Sequence, residues 1–488
     1  MLEFRELYIG GKWEQPHEAG LRDVISPFSE AAIGRTPSVS VRDIDRAVAA
    51  ARAAFDSGEW PTAGIEARAK CVRALRDGLA RRSAAVTDII AMEAGLPVKM
   101  WARVDIALSI IDYYLGLARG LAETELRHGP TGDVLVQKSP VGVTAAIVPW
   151  NAPLNIAVIK IVPALLAGCT VILKADPHTP LHAFALAEVI DEAGFPPGVI
   201  NVVPAGRAES AELVEHLGVD HVSFTGSSAT GRIVGRVCGQ QLKRCTLELG
   251  GKSAAIVLDD VQLEKQLPRL VGATFMNNGE ACVLQSRVLA PRSRYAEIAE
   301  ALAAGASTLV VGDPNDPNTD VGPLITAAHR ERVEALVDRA VDSGAKVVTG
   351  AARPKTLTHG WFYEPTVLAD VVNGDEIAQE EVFGPVVVVV PYDDDDHAVE
   401  LANDSPYGLS GTVWTSDHDR GLDIARRVDT GNYGINTFGM DPSAPFGGMK
   451  QSGLGSELGP EGLHEFLKSK SIHLPRNWRG ATPGQGSK

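Results

Sequence analysis

Two places in this chain carry residue types suited to covalent chemistry: a cysteine behind a polar, glycine-containing stretch, and a glutamate before a double glycine. The first is Asn277-Asn-Gly-Glu-Ala-Cys282. As a thiolate Cys282 would be a nucleophile, but a free thiol has a pKa of about 8.5 and needs help to ionise. A lone cysteine is also often an inert buried residue. The second is Glu248-Leu-Gly-Gly-Lys-Ser253, whose glycines allow a sharp turn and a close backbone approach to a ligand. Glu248 reads either as a base or as a solvated surface charge. In Pro149-Trp-Asn-Ala-Pro153 two prolines fix a loop, so the Asn151 amide is either a rigidly held donor or part of a plain turn. Phe224-Thr-Gly-Ser-Ser-Ala-Thr-Gly231 follows a strand-like run and opens a helical one, where backbone N–H groups suit an anion. It is not GxGxxG, and Arg232-Ile233 occupies the Lys-Ser/Thr positions of a P-loop, so an ordinary strand-to-helix turn fits it equally.

Metal chemistry is not expected. His178 and His182 have helix-face spacing but no partnering glutamate, and Thr179-Pro180 marks a helix start. The acidic run Asp393 to Asp396 follows a strand pattern and suits a helix N-terminus.

The elements that must position these residues alternate between strand and helix. Leu7-Tyr-Ile-Gly-Gly-Lys-Trp13 reads as a small β element, and Val41 to Leu121 as helical, opening on a Ser40 cap. Strands follow at Thr170–Lys174, Val199–Val203 and His221–Thr225, with helices from Leu181 to Ala193 and from Ala208 to Leu217. A second alternation runs from Ala254 to Thr437 and includes the wholly apolar Val386–Val390. Strands apolar throughout, separated by helices, predict two α/β lobes with doubly wound parallel sheets. At 488 residues the chain is roughly three times the ~150 typical of one domain, which accommodates both.

From Val141 to Leu173 the only charge is Lys160, but three prolines and polar groups at Trp150-Asn151 and Asn155 argue against a membrane span. With 61 acidic and 46 basic residues and no basic run, a nucleic-acid partner is not expected. The five cysteines form no CxxC pair, and Met1-Leu-Glu-Phe-Arg-Glu lacks the basic-then-apolar order of a signal peptide. A reducing cytoplasmic compartment is the expectation.

Taken together, Pro149–Pro153, Phe224–Ser227, Glu248–Ser253, Gly279–Cys282, Glu381-Val-Phe-Gly-Pro385 and Pro445-Phe-Gly-Gly-Met-Lys450 stand in an order and spacing that resemble the NAD(P)-dependent aldehyde dehydrogenase superfamily. The resemblance runs from about Tyr8 to Ile472. It implies an aldehyde dehydrogenase-like α/β fold: a Rossmann-like dinucleotide lobe (1–122 and 141–250), a catalytic lobe (251–447), a bridging β oligomerisation element (123–140 and 448–475) and a flexible tail (476–488). The implied reaction oxidises an aldehyde to the carboxylic acid with NAD, NADP being possible.

By the same resemblance, Cys282 is the nucleophile, the Asn151 amide holds the oxyanion, Glu248 activates the water that hydrolyses the thioester, and Lys160 steadies the nucleophile region or simply reaches solvent. Coenzyme contacts fall on Trp150, Lys174, Gly226, Ser227, Leu249, Glu381 and Phe383. A substrate pocket of Ala152, Ile156, Ile159, Val283 and Phe446 carries no charge and suits an apolar aliphatic or aromatic aldehyde. Arg287 is the basic residue that keeps a carboxylated semialdehyde open.

Two departures stand out. Pro177 occupies a position where NAD-preferring members carry an acid, and Glu280 replaces a common glutamine. Unless Glu280 points away, it discourages ionisation of Cys282 and Glu248. The partners expected are a small aldehyde and further copies of the chain, as a homodimer or homotetramer, with Lys468–Ile472 as a lysine-protected edge strand. A coenzyme A-acylating enzyme, against which Glu248 argues, and an inactive ligand-binding protein on the same fold are the alternatives.

Overall fold

Five consecutive valines with no polar partner can only be a buried strand, and in the computed structural model, which describes residues 1–476 and Trp478, Val386–Tyr392 is one. Val386 to Val390 are each at most 2% exposed, and burial of each such side chain stabilises the fold by about 1.5–3 kcal/mol. This strand lies inside a seven-stranded sheet ordered Lys346–Thr349, Thr366–Ala369, Val386–Tyr392, Arg287–Pro291, Ala254–Val257, Ser410–Trp414 and Asn432–Ile435. All its pairings are parallel except that of Lys346–Thr349.

The other large sheet has eight strands, ordered Gly453–Leu454, Arg244–Glu248, His221–Thr225, Val143–Ile147, Thr170–Lys174, Ile200–Val202, Leu7–Ile9 and Lys12–Glu14. Its five central strands are parallel. Strand order reverses between Val143–Ile147 and His221–Thr225, and the crevice beyond such a reversal is where open α/β sheets bind ligands. The stretch 141–173 becomes a strand, a loop, the helix Pro153–Ala167 and another strand. Pro153 starts that helix, and Gly168, at φ +96°, stops it. Among the described residues no helix is long and apolar enough to cross a membrane.

A third, antiparallel sheet pairs Leu467–His473 with Gly132–Pro140, and that strand with Thr124–Gly129. The span 448–475 is therefore not one piece, as the sequence suggested. Met449–Lys450 pairs with Tyr407–Gly408, and Gly453–Leu454 joins the eight-stranded sheet. The latter covers the edge of Arg244–Glu248, which would otherwise present unpaired backbone groups beside Glu248. Of the tail 476–488, everything beyond Arg476 and Trp478 lies outside the described residues.

Candidate active site

The eight-stranded sheet contributes the carboxyl ends of its strands. Val143–Ile147 leads to Trp150 and Asn151, His221–Thr225 to Gly226 and Ser227, and Arg244–Glu248 ends on the glutamate itself. The seven-stranded sheet faces them with the amino ends of its strands. Lys252 precedes Ala254–Val257, Cys282 precedes Arg287–Pro291, and Glu381 and Phe383 precede Val386–Tyr392. The site is the seam between these two sets of strand ends.

Cys282 is delivered by an unusual turn. Asn277, Asn278 and Gly279 all have positive φ (52°, 58° and 76°), a conformation costly for a side-chain-bearing residue. Side-chain bonds hold it. Asn277 Nδ2 donates to the carbonyl oxygens of Asn151 and Glu280, and Asn278 Nδ2 to those of Gly95 and Pro323. A Cβ at Gly279 would run into the Gly384 backbone, and one at Gly251 into the Cys282 carbonyl, so both close approaches need glycine. Asn151 Nδ2 donates to the Glu280 carbonyl at 2.8 Å, which ties the amide to the segment carrying the cysteine and leaves its second N–H available.

Glu248 is 3% exposed, and neither carboxyl oxygen has a hydrogen-bond partner among the described residues. Burial, reinforced by Glu457, holds its pKa well above the usual carboxylate range, with Lys160 pulling the other way. Burial likewise raises the Cys282 thiol, and the charges of Glu381 and Glu248 add to the effect. Both groups are thus shifted in the same direction, each toward its neutral form.

The head of Lys160 does not reach solvent, and its charge acts on Glu248. It is fully buried, bonded to Ser223 Oγ at 3.1 Å and ion-paired with Glu457. Glu457 had no local signal in sequence, since 297 residues separate it from its partner. Its backbone pairs with Phe446, closing the loop that brings Gly447 beside Glu248. Lys160→Met should leave a buried carboxylate unpaired and cost about 3–5 kcal/mol of stability by denaturant titration. Adding Glu457→Met should recover most of the loss; an unchanged midpoint in the single variant would contradict the pairing.

Glu280 points away from the nucleophile: its Oε1 accepts from the Ile325 N–H at 2.9 Å and lies 3.7 Å from His329 Nε2. Burial raises its pKa well above normal, but it is not among the charges acting on Cys282 or Glu248. Arg287 is likewise removed from the substrate side. Its guanidinium donates to the Lys252, Leu401 and Ala402 carbonyls and to Asn373 Oδ1. Ile159, Val283 and Phe446 are buried in the main apolar core, Ile156 and Cys282 are partly buried against it, and Ala152 caps the helix that carries the two isoleucines. His182 pairs with buried Glu93, not with His178, which bonds Asp176. Among the described residues no group of His, Cys, Asp or Glu could hold a metal ion.

Comparison with known proteins decides which chemistry this seam serves: the model of the Aldehyde dehydrogenase family matches residues 13–472. The chain belongs to that family. Among curated relatives, geranial dehydrogenase of Castellaniella defragrans is 44% identical over 476 residues, covering 97% of this chain and 99% of that protein. Betaine aldehyde dehydrogenase of Bacillus subtilis is 36% identical, covering 97% and 98%. Among solved structures, the Mycobacterium tuberculosis aldehyde dehydrogenase complexed with NAD+ matches with a TM-score of 0.96 at 46% identity, over 98% of this chain and 100% of that one. A Pseudomonas syringae aldehyde dehydrogenase mutant complexed with NAD+ and octanal matches at 0.93 and 35%, over 96% of each. The enzyme is an aldehyde dehydrogenase, oxidising an aldehyde to the carboxylic acid.

The residues of this aldehyde dehydrogenase also fit a dinucleotide. Lys174, at the end of its strand, is buried, which lowers its pKa; Asp176 and Glu209 are the carboxylates acting on it. Gly226 and Ser227 lead into the helix Ser228–Gln241, whose N-cap Ser227 Oγ accepts from the Thr230 N–H. Leu249 is buried against Gly231 of that helix. The Trp150 and Phe383 rings meet edge-on at 5.5 Å, and His329, which sequence reasoning missed, packs against both. Glu381 Oε1 accepts from the Gly251 N–H at 2.9 Å, and burial pushes its pKa up to about 7.

Proposed function

We propose that the enzyme oxidises an apolar aldehyde through a covalent intermediate on Cys282. The observation that carries this reading is a fully buried carboxyl, Glu248, left without a partner among the described residues in the seam that also receives Cys282 and Asn151. The Cys282 sulfur attacks the carbonyl carbon, its proton passing to the Glu248 carboxylate, which releases it to solvent before the hydrolytic step. The free N–H of Asn151 and the Cys282 backbone N–H then hold the oxyanion; losing one such donor typically costs about 10²–10³ in rate. NAD, when bound, supplies the acceptor for the hydride. After oxidation Glu248 takes a proton from water, which attacks the thioester and releases the acid.

Trp150, Lys174, Gly226, Ser227, Leu249, Glu381 and Phe383 would hold the coenzyme, with the Glu381 carboxylate accepting from the nicotinamide ribose hydroxyls. Asp176 and Glu209 set two negative charges near Lys174, which favours NAD over NADP and its 2′-phosphate. The lobe of 1–122 and 141–250 carries most of the coenzyme residues and that of 251–447 the nucleophile Cys282, while both line the aldehyde pocket. The exposed strand Leu467–His473, at a sheet edge, suits pairing with another copy in a homodimer or homotetramer. Five free cysteines fit a reducing cytoplasm.

The substrate reading rests on Ala152, Ile156, Ile159, Val283 and Phe446, none charged, and on the commitment of Arg287 elsewhere. Relatives named for geranial and bound to octanal act on, or hold, apolar aldehydes. A rate screen should show kcat/KM for a medium-chain aliphatic aldehyde above that for its ω-carboxylated counterpart by about 10²-fold or more. Preference for the carboxylated compound would contradict the assignment. Product analysis with coenzyme A present should yield free acid, not the acyl-coenzyme A.

A further inference from the structure

Lys252 and Ser253, which follow the Gly250–Gly251 turn, line a small cavity of ≈ 10 Å³ together with Arg287 and Ser410. Lys252 Nζ, Ser253 Oγ and Ser410 Oγ are all buried with no hydrogen-bond partner among the described residues. The three atoms come from both sides of the cavity. Lys252 and Ser253 continue the turn, and Ser410 opens the strand Ser410–Trp414. Four of the five Arg287 N–H donors go to carbonyls and Asn373, so that side chain adds charge to the cavity but bonds none of the three. The volume is near the minimum for one water, which needs two to four polar partners. Such a water accepts from the Lys252 ammonium and from one hydroxyl and donates to the other.

We propose that Lys252 is a positioning residue for the coenzyme end of the site: with Ser253 and Ser410 it clamps one internal water, and so fixes the Gly250–Gly251 turn against the Glu381 carboxylate. The proposal rests on the coenzyme role given to Glu381 above. The turn is gripped at two places. The Gly251 N–H donates to Glu381 Oε1 at 2.9 Å, and a Cβ at Gly250 would lie 2.5 Å from Glu381 Oε2, so the carboxylate rests directly on the turn. At the next two residues the clamp ties Lys252 and Ser253 to Ser410.

Lys252 also acts on Glu381 through charge. The groups facing Glu381 are Lys252 and Arg332, which favour its carboxylate, and Glu380, which disfavours it; Tyr407 and Cys282 lie within its influence. Burial holds Glu381 up at about 7, and it holds Lys252 down to about 7, with Arg287 adding to the second shift. Removing the ammonium raises Glu381 further, so its carboxylate forms only at higher pH.

NAD+ titration by calorimetry, from below to above neutrality, should separate the possibilities in the wild-type chain, Lys252→Met and Ser410→Ala. Wild-type affinity should weaken as pH falls through neutrality. Lys252→Met should bind about 10-fold more weakly at neutral pH, with its acid limb moved up by about one pH unit, and kcat at saturating NAD+ should change less than Kd. Ser410→Ala should move the limb in the same direction, by about 3-fold in affinity. A crystal structure should show one water within reach of Nζ and both hydroxyls. Wild-type affinity and limb in Lys252→Met overturn the proposal; should that variant fail to fold, the same result in Ser410→Ala does so. A dry cavity, or a halide peak from bromide-grown crystals, also overturns it. A wild-type chain that does not bind NAD+ overturns the coenzyme reading instead.

Discussion

Cys282→Ala should abolish aldehyde oxidation while leaving NAD+ affinity within about 3-fold of the wild type. Removing the nucleophile of another covalent enzyme costs about 10⁶-fold in kcat, and nothing near Cys282 can take its place. The remaining cysteines stand elsewhere. Cys71 lies against the Gly194 carbonyl and Cys169 against that of Phe466, while Cys238 and Cys245 belong to the helix Ser228–Gln241 and the strand Arg244–Glu248. The turn that presents the thiol is held by Asn277 and Asn278, not by the sulfur, so the alanine chain should keep its fold. Stopped-flow and steady-state assays check the rate, and calorimetry the coenzyme. Substantial NADH formation by the alanine variant would remove Cys282 from the chemistry.

Glu248→Gln should slow the second half of the reaction most, by about 10²–10⁴-fold, the usual range for a positioned base. The expected trace is a burst of NADH of at most one equivalent per site, followed by a slow steady state. The substitution is nearly isosteric, and the carboxyl oxygens have no partner among the described residues to lose, so a fold defect is not expected. Glutamine cannot accept the water proton. If Glu248 is also the route by which the thiol loses its proton, the burst itself slows, and the ratio of the two phases measures each role. An unchanged steady state would assign the base elsewhere, with Glu457 next in line through its charge on Glu248.

The sequence made the strand and helix alternation legible because buried parallel strands such as Thr170–Lys174 and Val386–Tyr392 are apolar on both faces and need no tertiary information to find. Cys282, Glu248 and Asn151 were visible for a different reason: each read two ways alone, and their roles came from six blocks whose order and spacing resemble one family. Features that depend on distant pairing were not visible. Lys160 looked like a lone charge in an apolar helix because its partner, Glu457, is 297 residues away. Arg287 looked like a substrate-side cation because its carbonyl acceptors at Leu401 and Ala402 carry no signature of their own. Glu280 could not be oriented until the left-handed turn at Asn277–Gly279 directed its carboxyl toward Ile325. The splitting of 448–475 between sheets was hidden because two-residue strands leave no periodicity.

The most direct measurement is mass spectrometry of acid-quenched Glu248→Gln enzyme mixed with a medium-chain aldehyde and NAD+. The thioester route requires an acyl group, of the mass of the oxidised aldehyde, on the peptide that carries Cys282. It should appear at the rate of the NADH burst and be absent when NAD+ is withheld. NADH formed with no acyl group on Cys282, or with the group on another residue, would contradict it.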